Sequence, residues 1–443
     1  MDPHAVAQLI AGIVFCMVYL YVVIVNRHLA AAMWLGVAAL VAVPPFFGLQ
    51  PILTPLDLIR LQDGSWAAVN WNVIGIFAGT LLVAEVFIYS RAPAAMADWL
   101  INKTPNVCWS ILGVCAISGF ISAFAANVAT VLIVAPIALE LAKRLQVSPV
   151  PFLIGIAIAA NLEGTATLIG DPPSMIFAAQ YKMNFMDFFW YGGRPGIFFA
   201  VQIGAIASFA VLWLLFRKYE QPVTQLPREK LRSWFPTVVM VLMIVALAFG
   251  SLVDRRFAWF GGAVSMAAGA TAVGWLYRRE RKIALGVLKS YDWVTTFFLI
   301  GIFTMVYALT TTGLVETAAK AVYGVTGSSP LGAFVLVTFA SMVLSGFIDN
   351  IPYIAAMLPL VQTLGIQIGV GDNMALPFGL LLGTCLGGNI TPVGASANVV
   401  AYGMLRSMGE KVSFMGFVRI GLPFTLAATA AGALFTWIVW MWF

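Results

Sequence analysis

The sequence predicts an all-α polytopic membrane protein made of two inverted-topology repeats, each with a re-entrant hairpin and a broken transmembrane helix. Three observations lead there: an apolar composition, an internal duplication, and polar interruptions at matched places in both copies.

Of 443 residues, 61% are apolar and 9% charged, and the mean hydropathy is +0.96, well outside the range of soluble domains. About 20 apolar residues cross a bilayer core. Such runs lie near 5–25, 29–48, 71–90, 193–216, 234–253, 258–277, 293–312 and 420–442. Four further apolar stretches, 107–142, 152–182, 330–365 and 376–403, are interrupted by polar residues, Gly or Pro. The first 25 residues have no basic head and no small-residue cleavage site, so they read as a retained span. An integral multi-pass protein of the plasma (inner) membrane is expected, with the lipid bilayer as its constant partner.

The duplication appears when the chain is laid on itself. At a shift of 223, Ser122, Phe124, Asn127, Pro136 and Leu141 meet Ser345, Phe347, Asn350, Pro359 and Leu364. At 224, Gly155, Leu162, Gly164, Thr167 and Gly170 meet Gly379, Leu386, Gly388, Thr391 and Gly394. The first repeat is therefore 1–216, with hairpin 107–142 and broken helix 152–182. The second is 234–443, with hairpin 330–365 and broken helix 376–403. A charged linker, 217–233, joins them.

Charge supplies the orientation. The segments 217–233 and 278–290 hold ten of the 24 Lys and Arg, and two spans between them put both on one side, which the positive-inside rule makes cytoplasmic. With five crossings and one hairpin per repeat, an odd number, the halves are inverted. Eighteen basic residues then face the cytoplasm, among them Arg27, Arg91, Lys103, Lys143, Arg144, Arg228 and Arg406, while Arg60, Lys182, Arg194, Arg255, Arg256 and Lys320 stay outside. Topology thus accounts for the net charge of +6, and no nucleic-acid partner is expected.

Irregular backbone at membrane depth is tolerated only where it is buried in protein or lines a cavity. The four breaks, at 122–127, 164–171, 345–350 and 388–396, should therefore converge. Asp171 before Pro172 and Pro173 reads as an N-cap with Pro in the first turn. Asn350 with Pro352, Asn127 and Ser396 read as caps as well. Four helix N-termini aimed at one region would favour anions and polar oxygens. Oxygens of Thr165, Thr167, Ser174, Asn389, Thr391 and Asn398, with the carbonyls of the broken turns, suit a hard cation such as Na⁺.

Acidic residues within spans are costly and usually functional. Asp171 and Asp349 sit at helix starts, where the dipole favours a carboxylate. Glu163 falls at a helix end, where it does not, so it is the first candidate for a proton carrier, with Glu85 the second. The four Cys and two His form no metal-ligand spacing. Neither an H-E-x-x-H nor a P-loop occurs, so neither a zinc hydrolase nor an ATP-driven pump is indicated.

The segments "SGFIDNIPYIAAMLP" (345–359) and "LGTCLGGNITPVGASANVVAYG" (382–403) resemble second-half motifs of the ion transporter superfamily. The resemblance is to its branch of arsenite permeases, NhaD-type sodium/proton antiporters and the melanosomal P protein. "GTATLIGDPPSMI" (164–176) is similar to the first-half motif of P protein and citrate-transporter-like chains. The resemblance implies a central substrate site, frequent homodimers and ligands at Asn127, Thr165, Thr167, Asp171, Asp349, Asn350, Asn389, Thr391, Ser396 and Asn398. Three departures fall on presumed ligands: Ala126 where relatives carry an acid, Glu163 within their Gly-Gly pair, and Ser174 for their Asn.

The expected function is a secondary active transporter for a small inorganic or organic solute, coupled to H⁺ or Na⁺ and needing no cofactor. Na⁺ would be held through Asn127, Asn350, Thr167 and Thr391. An arsenite-like oxyanion efflux permease leads, ahead of a Na⁺/H⁺ antiporter and a citrate or dicarboxylate carrier. A passive channel and an intramembrane enzyme are the contrasting classes.

Overall fold

The computed structural model describes residues 2–25, 28–62, 65–222, 230–371 and 373–442. Arg27 and the linker stretch 223–229 with Arg228, assigned above to the cytoplasm, lie outside the described residues.

The first half runs α1 (Pro3–Val25), α2 (Leu29–Ala42), α3 (Trp71–Tyr89), α4 (Ala92–Ile101), α5 (Val107–Ser122), α6 (Asn127–Leu145), α7 (Val150–Gly164), α8 (Pro172–Tyr181) and α9 (Ile197–Phe216). The second runs α10 (Phe235–Ala248), α11 (Gly250–Val253), α12 (Phe260–Arg279), α13 (Arg281–Lys289), α14 (Trp293–Thr311), α15 (Leu314–Thr326), α16 (Pro330–Ser345), α17 (Asn350–Gln367), α18 (Ala375–Gly387), α19 (Ser396–Ser407) and α20 (Phe414–Trp437). Apart from the short α11 and α13, the order of the first half is repeated in the second.

The predicted hairpins are α5–α6 and α16–α17, and the predicted broken helices are α7–α8 and α18–α19. What the sequence pattern did not separate is the short helix before each hairpin, α4 and α15. The α15 axis turns by 112° into α16. Gly327, at φ +59°, follows α15, and the α16 start is capped by Ser329, whose Oγ accepts from the Gly332 amide at 3.1 Å. A left-handed glycine followed by a Ser-Pro helix start makes such a turn possible within four residues.

Among the described residues, six helical stretches are apolar and long enough to cross a bilayer, and the bent α15–α16 pair makes a seventh if counted as one span. The apolar run 258–277, now α12, is outside that set, and its packing explains why. Gly262, Ser265 and Gly269 of α12 lie against Gly75 and Gly79 of α3, so closely that a Cβ on Gly75 would come within 2.9 Å of Gly262 Cα. Small residues let helix backbones touch where lipid offers no hydrophobic drive for association. They lower the hydropathy of the helix that carries them.

This contact joins the halves. α3 of the first repeat packs on α12 of the second, while α14 of the second packs on α2 of the first, and α9 crosses α20. The described ends of the linker lie along one face: the Val107 and Cys108 amides donate to the Gln221 and Tyr219 carbonyls at 3.0 and 2.9 Å, and the Arg232 amide to Ser90 at 3.0 Å. Tyr89 hydrogen-bonds Glu280, which brings the start of the 278–290 segment to that same face.

Candidate functional site

Each hairpin tip is closed by a hydroxyl–amide bond. Ser122 Oγ donates to Asn127 Oδ1 at 2.5 Å, and Ser345 Oγ to Asn350 Oδ1 at 2.6 Å. Each broken helix then clasps the tip beside it, Thr167 donating to the Ala123 carbonyl and Thr391 to that of Gly346. Gly164 and Gly388 face the amides of Asn127 and Asn350, leaving no room for a Cβ. Across each break a matched residue donates back: Ser174 Oγ to the Thr165 carbonyl at 3.4 Å, and Asn398 Nδ2 to the Gly388 and Thr391 carbonyls at 2.9 and 3.0 Å. Buried backbone polar groups at membrane depth need such partners, which is why small and hydroxyl side chains occupy the breaks.

The helix starts lie one residue from where three of the expected caps would put them. Asp171 is the N-cap of α8, as expected. Asn127 and Ser396 are first helical residues instead, after Ala126 and Ala395, both outside the helical conformation. For α17 the cap is Asp349, whose Oδ1 accepts from the Ile351 amide at 3.0 Å, with Asn350 inside the helix. Asn127 and Asn350 are thereby free to face their serines rather than their own backbone.

All four starts line one cavity of about 300 Å³. Asn127, Asp171, Asp349, Asn350 and Ser396 reach it, together with Glu85 and Thr80 of α3 and Asn161 of α7. Its remaining polar wall is Ser290, Tyr291, Asp292 and Thr295, where α13 gives way to α14. Four carboxylates line the cavity, and among the described residues no Lys, Arg or His does. No hydrogen bond or ion pair reaches Glu85 among the described residues.

The other expected ligands stand behind this wall. Thr165, Thr167, Ser174, Asn389, Thr391 and Asn398 are at most 1% exposed and do not line the cavity. Thr167 and Thr391 spend their hydroxyls on hairpin carbonyls, and Asn127 and Asn350 already accept from serines. The set expected to hold Na⁺ is all oxygen, the chemistry a hard cation takes, but a cation there would have to replace these mutual bonds. No three His, Cys, Asp or Glu side chains are grouped so that they could hold a metal ion among the described residues. Glu163 turns away from the cavity towards α9, where Gln202 Nε2 donates to its Oε2 at 2.7 Å.

Asn161 is the site residue that sequence reasoning passed over. It lies in the apolar helix α7, and its partner at a shift of 224 is Cys385, so a search for matched polar pairs does not find it. Asp292 was hidden differently: it caps α14, accepting from the Thr295 amide at 2.9 Å, and reads as an ordinary helix start beside a basic segment.

The cavity runs towards the α13–α14 junction. A buried aromatic cluster joins α8 to α18: Phe177 of α8 stacks on Phe378 of α18 at 5.7 Å, and Phe378 meets Trp440 edge-on at 5.5 Å. Gln180 Nε2 donates to Gln362 Oε1 at 2.6 Å, tying α8 to α17 across the two repeats.

Comparison with known proteins gives a consistent picture. Residues 19–383 match the model of the family described as CitMHS, citrate transporter. A protein named an uncharacterized transporter in Mycobacterium tuberculosis is 31% identical over 426 residues, covering 94% of each chain. P protein of Homo sapiens is 25% identical over 501 residues, covering 96% of this chain and 59% of its own. In fold, the chain is similar to the Alcanivorax borkumensis YdaH transporter, with TM-score 0.59 and 12% identity over 84% of this chain and 85% of that one. It is also similar to Neisseria gonorrhoeae MtrF, with TM-score 0.55 and 12% identity over 87% and 82%.

Proposed function

Because this chain belongs to the CitMHS citrate transporter family, and is therefore a multi-pass membrane transporter rather than an enzyme, we propose that it is a cation-coupled secondary carrier for a small, oxygen-rich solute that is uncharged or has most of its negative charge neutralised by a bound cation. The carrying observation is the wall of the cavity: four carboxylates, four helix N-termini and, among the described residues, no basic side chain.

A free tricarboxylate brings charges that such a wall repels, and there is no guanidinium fork to receive them. The N-termini still offer amide donors to oxygens. An undissociated oxyacid of the arsenite kind fits this combination, and so does a carboxylate delivered as its divalent-cation complex. The coupling ion, H⁺ or Na⁺, goes to the same carboxylates, with Asp171 and Glu85 as its first sites because neither spends its carboxylate on capping a helix, as Asp349 and Asp292 do.

A second reading, Na⁺/H⁺ exchange, is favoured by the clustering of acids itself. Alternating access over a continuous pore is supported by the buried stacking of Phe177 on Phe378, which packs α8 of one repeat on α18 of the other. The cavity extends towards the 278–290 segment, which the charge rule places in the cytoplasm.

Proteoliposomes with imposed pH or Na⁺ gradients test both readings. Gradient-driven accumulation of arsenous acid, or of citrate only when a divalent cation is supplied, is the expected result. Accumulation of citrate under chelator at an undiminished rate would reject the charge argument. Sodium movement with no solute at all would select the exchanger.

A further inference from the structure

We propose that Asn161 is the positioning residue that couples the two halves of the site, through a buried amide network lying where the repeats meet. The proposal rests on the carrier reading above and adds the route by which one half senses the other.

Every polar atom of the Asn161 side chain is committed. Its Nδ2 donates to the Cys385 carbonyl at 2.8 Å and to Asn389 Oδ1 at 3.0 Å, both in the second repeat. Its Oδ1 accepts from Asn127 Nδ2, at the first hairpin tip, at 3.3 Å. Asn389 returns the bond across the repeats, donating to the Ile158 carbonyl of α7 at 3.1 Å. The second hairpin tip reaches the same centre, since Asn350 Nδ2 approaches the Cys385 carbonyl at 3.5 Å. Asn161 and Asn389 are 1% and 0% exposed, so these groups depend chiefly on their protein partners.

Both hairpin tips therefore meet at one carbonyl and one amide. The arrangement is not symmetric. The repeat mate of Asn161 is Cys385, which contributes a backbone oxygen in place of a side chain, so a single amide serves both halves. When Asn127 shifts to take or release a ligand, Asn161 must shift with it or leave a buried donor unpaired. Either way the broken turn at Asn389 is affected, because it shares the other end of the same amide. Buried polar networks are rigid when complete and costly when one member is missing.

Substitutions separate this role from simple packing. The carboxylate introduced by Asn161→Asp would set its oxygens against two acceptors, a conflict that protonation relieves because the carboxylic acid can donate once. Asn161→Ala cannot be relieved this way.

Two measurements decide the matter. In detergent-purified full-length protein, Asn127→Ala and Asn389→Ala should shift the melting temperature non-additively when Asn161 is present and additively in the Asn161→Ala background, since coupled sites depart from additivity and independent ones do not. If Asn161→Ala does not fold, Asn161→Asp serves as the background at neutral pH. Additive shifts in both backgrounds overturn the proposal.

In proteoliposomes, uptake of arsenous acid by Asn161→Asp, relative to wild type at the same pH, should fall about tenfold at neutral pH, the equivalent of one lost hydrogen bond. It should recover by at least half near pH 5, while Asn161→Ala shows no recovery. Wild-type uptake by Asn161→Asp at neutral pH, or a flat ratio across pH, overturns the proposal. If wild-type liposomes accumulate no arsenous acid, that substrate reading fails alone, and the melting cycle still decides the role of Asn161.

Discussion

Asp171 and Asp349 start helices in opposite repeats and face the same cavity. They are not equivalent: Asp349 spends one oxygen on the Ile351 amide, whereas no side-chain cap bond engages Asp171. Inverted repeats bring both acids to one place, but only Asp171 has its carboxylate free of its own helix. Asp171→Asn should therefore reduce gradient-driven transport more than Asp349→Asn, by about tenfold, or ~1.4 kcal/mol of lost ion binding. Equal losses in a proteoliposome assay would reject the distinction.

The link between α8 and α17 gives a conformational prediction. Gln180 and Gln362 are in direct contact at 2.6 Å beside the aromatic stack. A Gln180→Cys/Gln362→Cys pair should be bridged by a short bis-methanethiosulfonate reagent, which spans the length of the two replaced side chains, and arrest transport, and a reductant should restore it. Full activity in the cross-linked protein would mean that the α8–α17 contact survives the transport cycle.

At the contact between α3 and α12, added volume should be expensive. A Cβ on Gly79 would overlap the Ser265 backbone, so Gly79→Val should cost about 1–3 kcal/mol through overpacking and lower the melting temperature. Gly274→Val on α12, where nothing lies within 4 Å of a new Cβ, should leave it nearly unchanged. The pair of variants distinguishes packing from a general effect of glycine replacement.

Outside the spans, Asp254 ties the α11–α12 turn together. Burial works against its ionised form, but the amides of Phe260, Trp259, Ala258 and Arg256 outweigh it and hold the carboxyl below its ordinary value. A depressed folded value means that the ionised form stabilises the fold. That contribution is complete above about pH 4, the ordinary aspartate value, and is lost as pH falls through the folded value. Asp254→Asn should melt earlier than wild type at neutral pH, with the gap closing in acid. A gap that is constant from pH 7 to pH 3 would show that the charge is immaterial.

Much of this protein is legible locally. Hydropathy marks the spans because a bilayer admits few charges, and the 223- and 224-residue shifts mark the duplication because both copies need the same turn chemistry. Asp171 followed by Pro172 and Pro173 announces a helix start wherever it occurs. For these reasons the two hairpins, the two broken helices and five of the cavity-lining residues follow from the sequence alone. The tertiary structure decided what depends on helix rotation and on contact between distant segments. It turned Glu163 to Gln202 and away from the cavity, put the threonines of the breaks behind the wall as braces, and brought Glu85 and Asp292 into it. It also placed Asn161 between the repeats. A helical side chain's direction is set by the helices that surround it, and at Asn161 those helices come from the other half of the chain, more than 200 residues away.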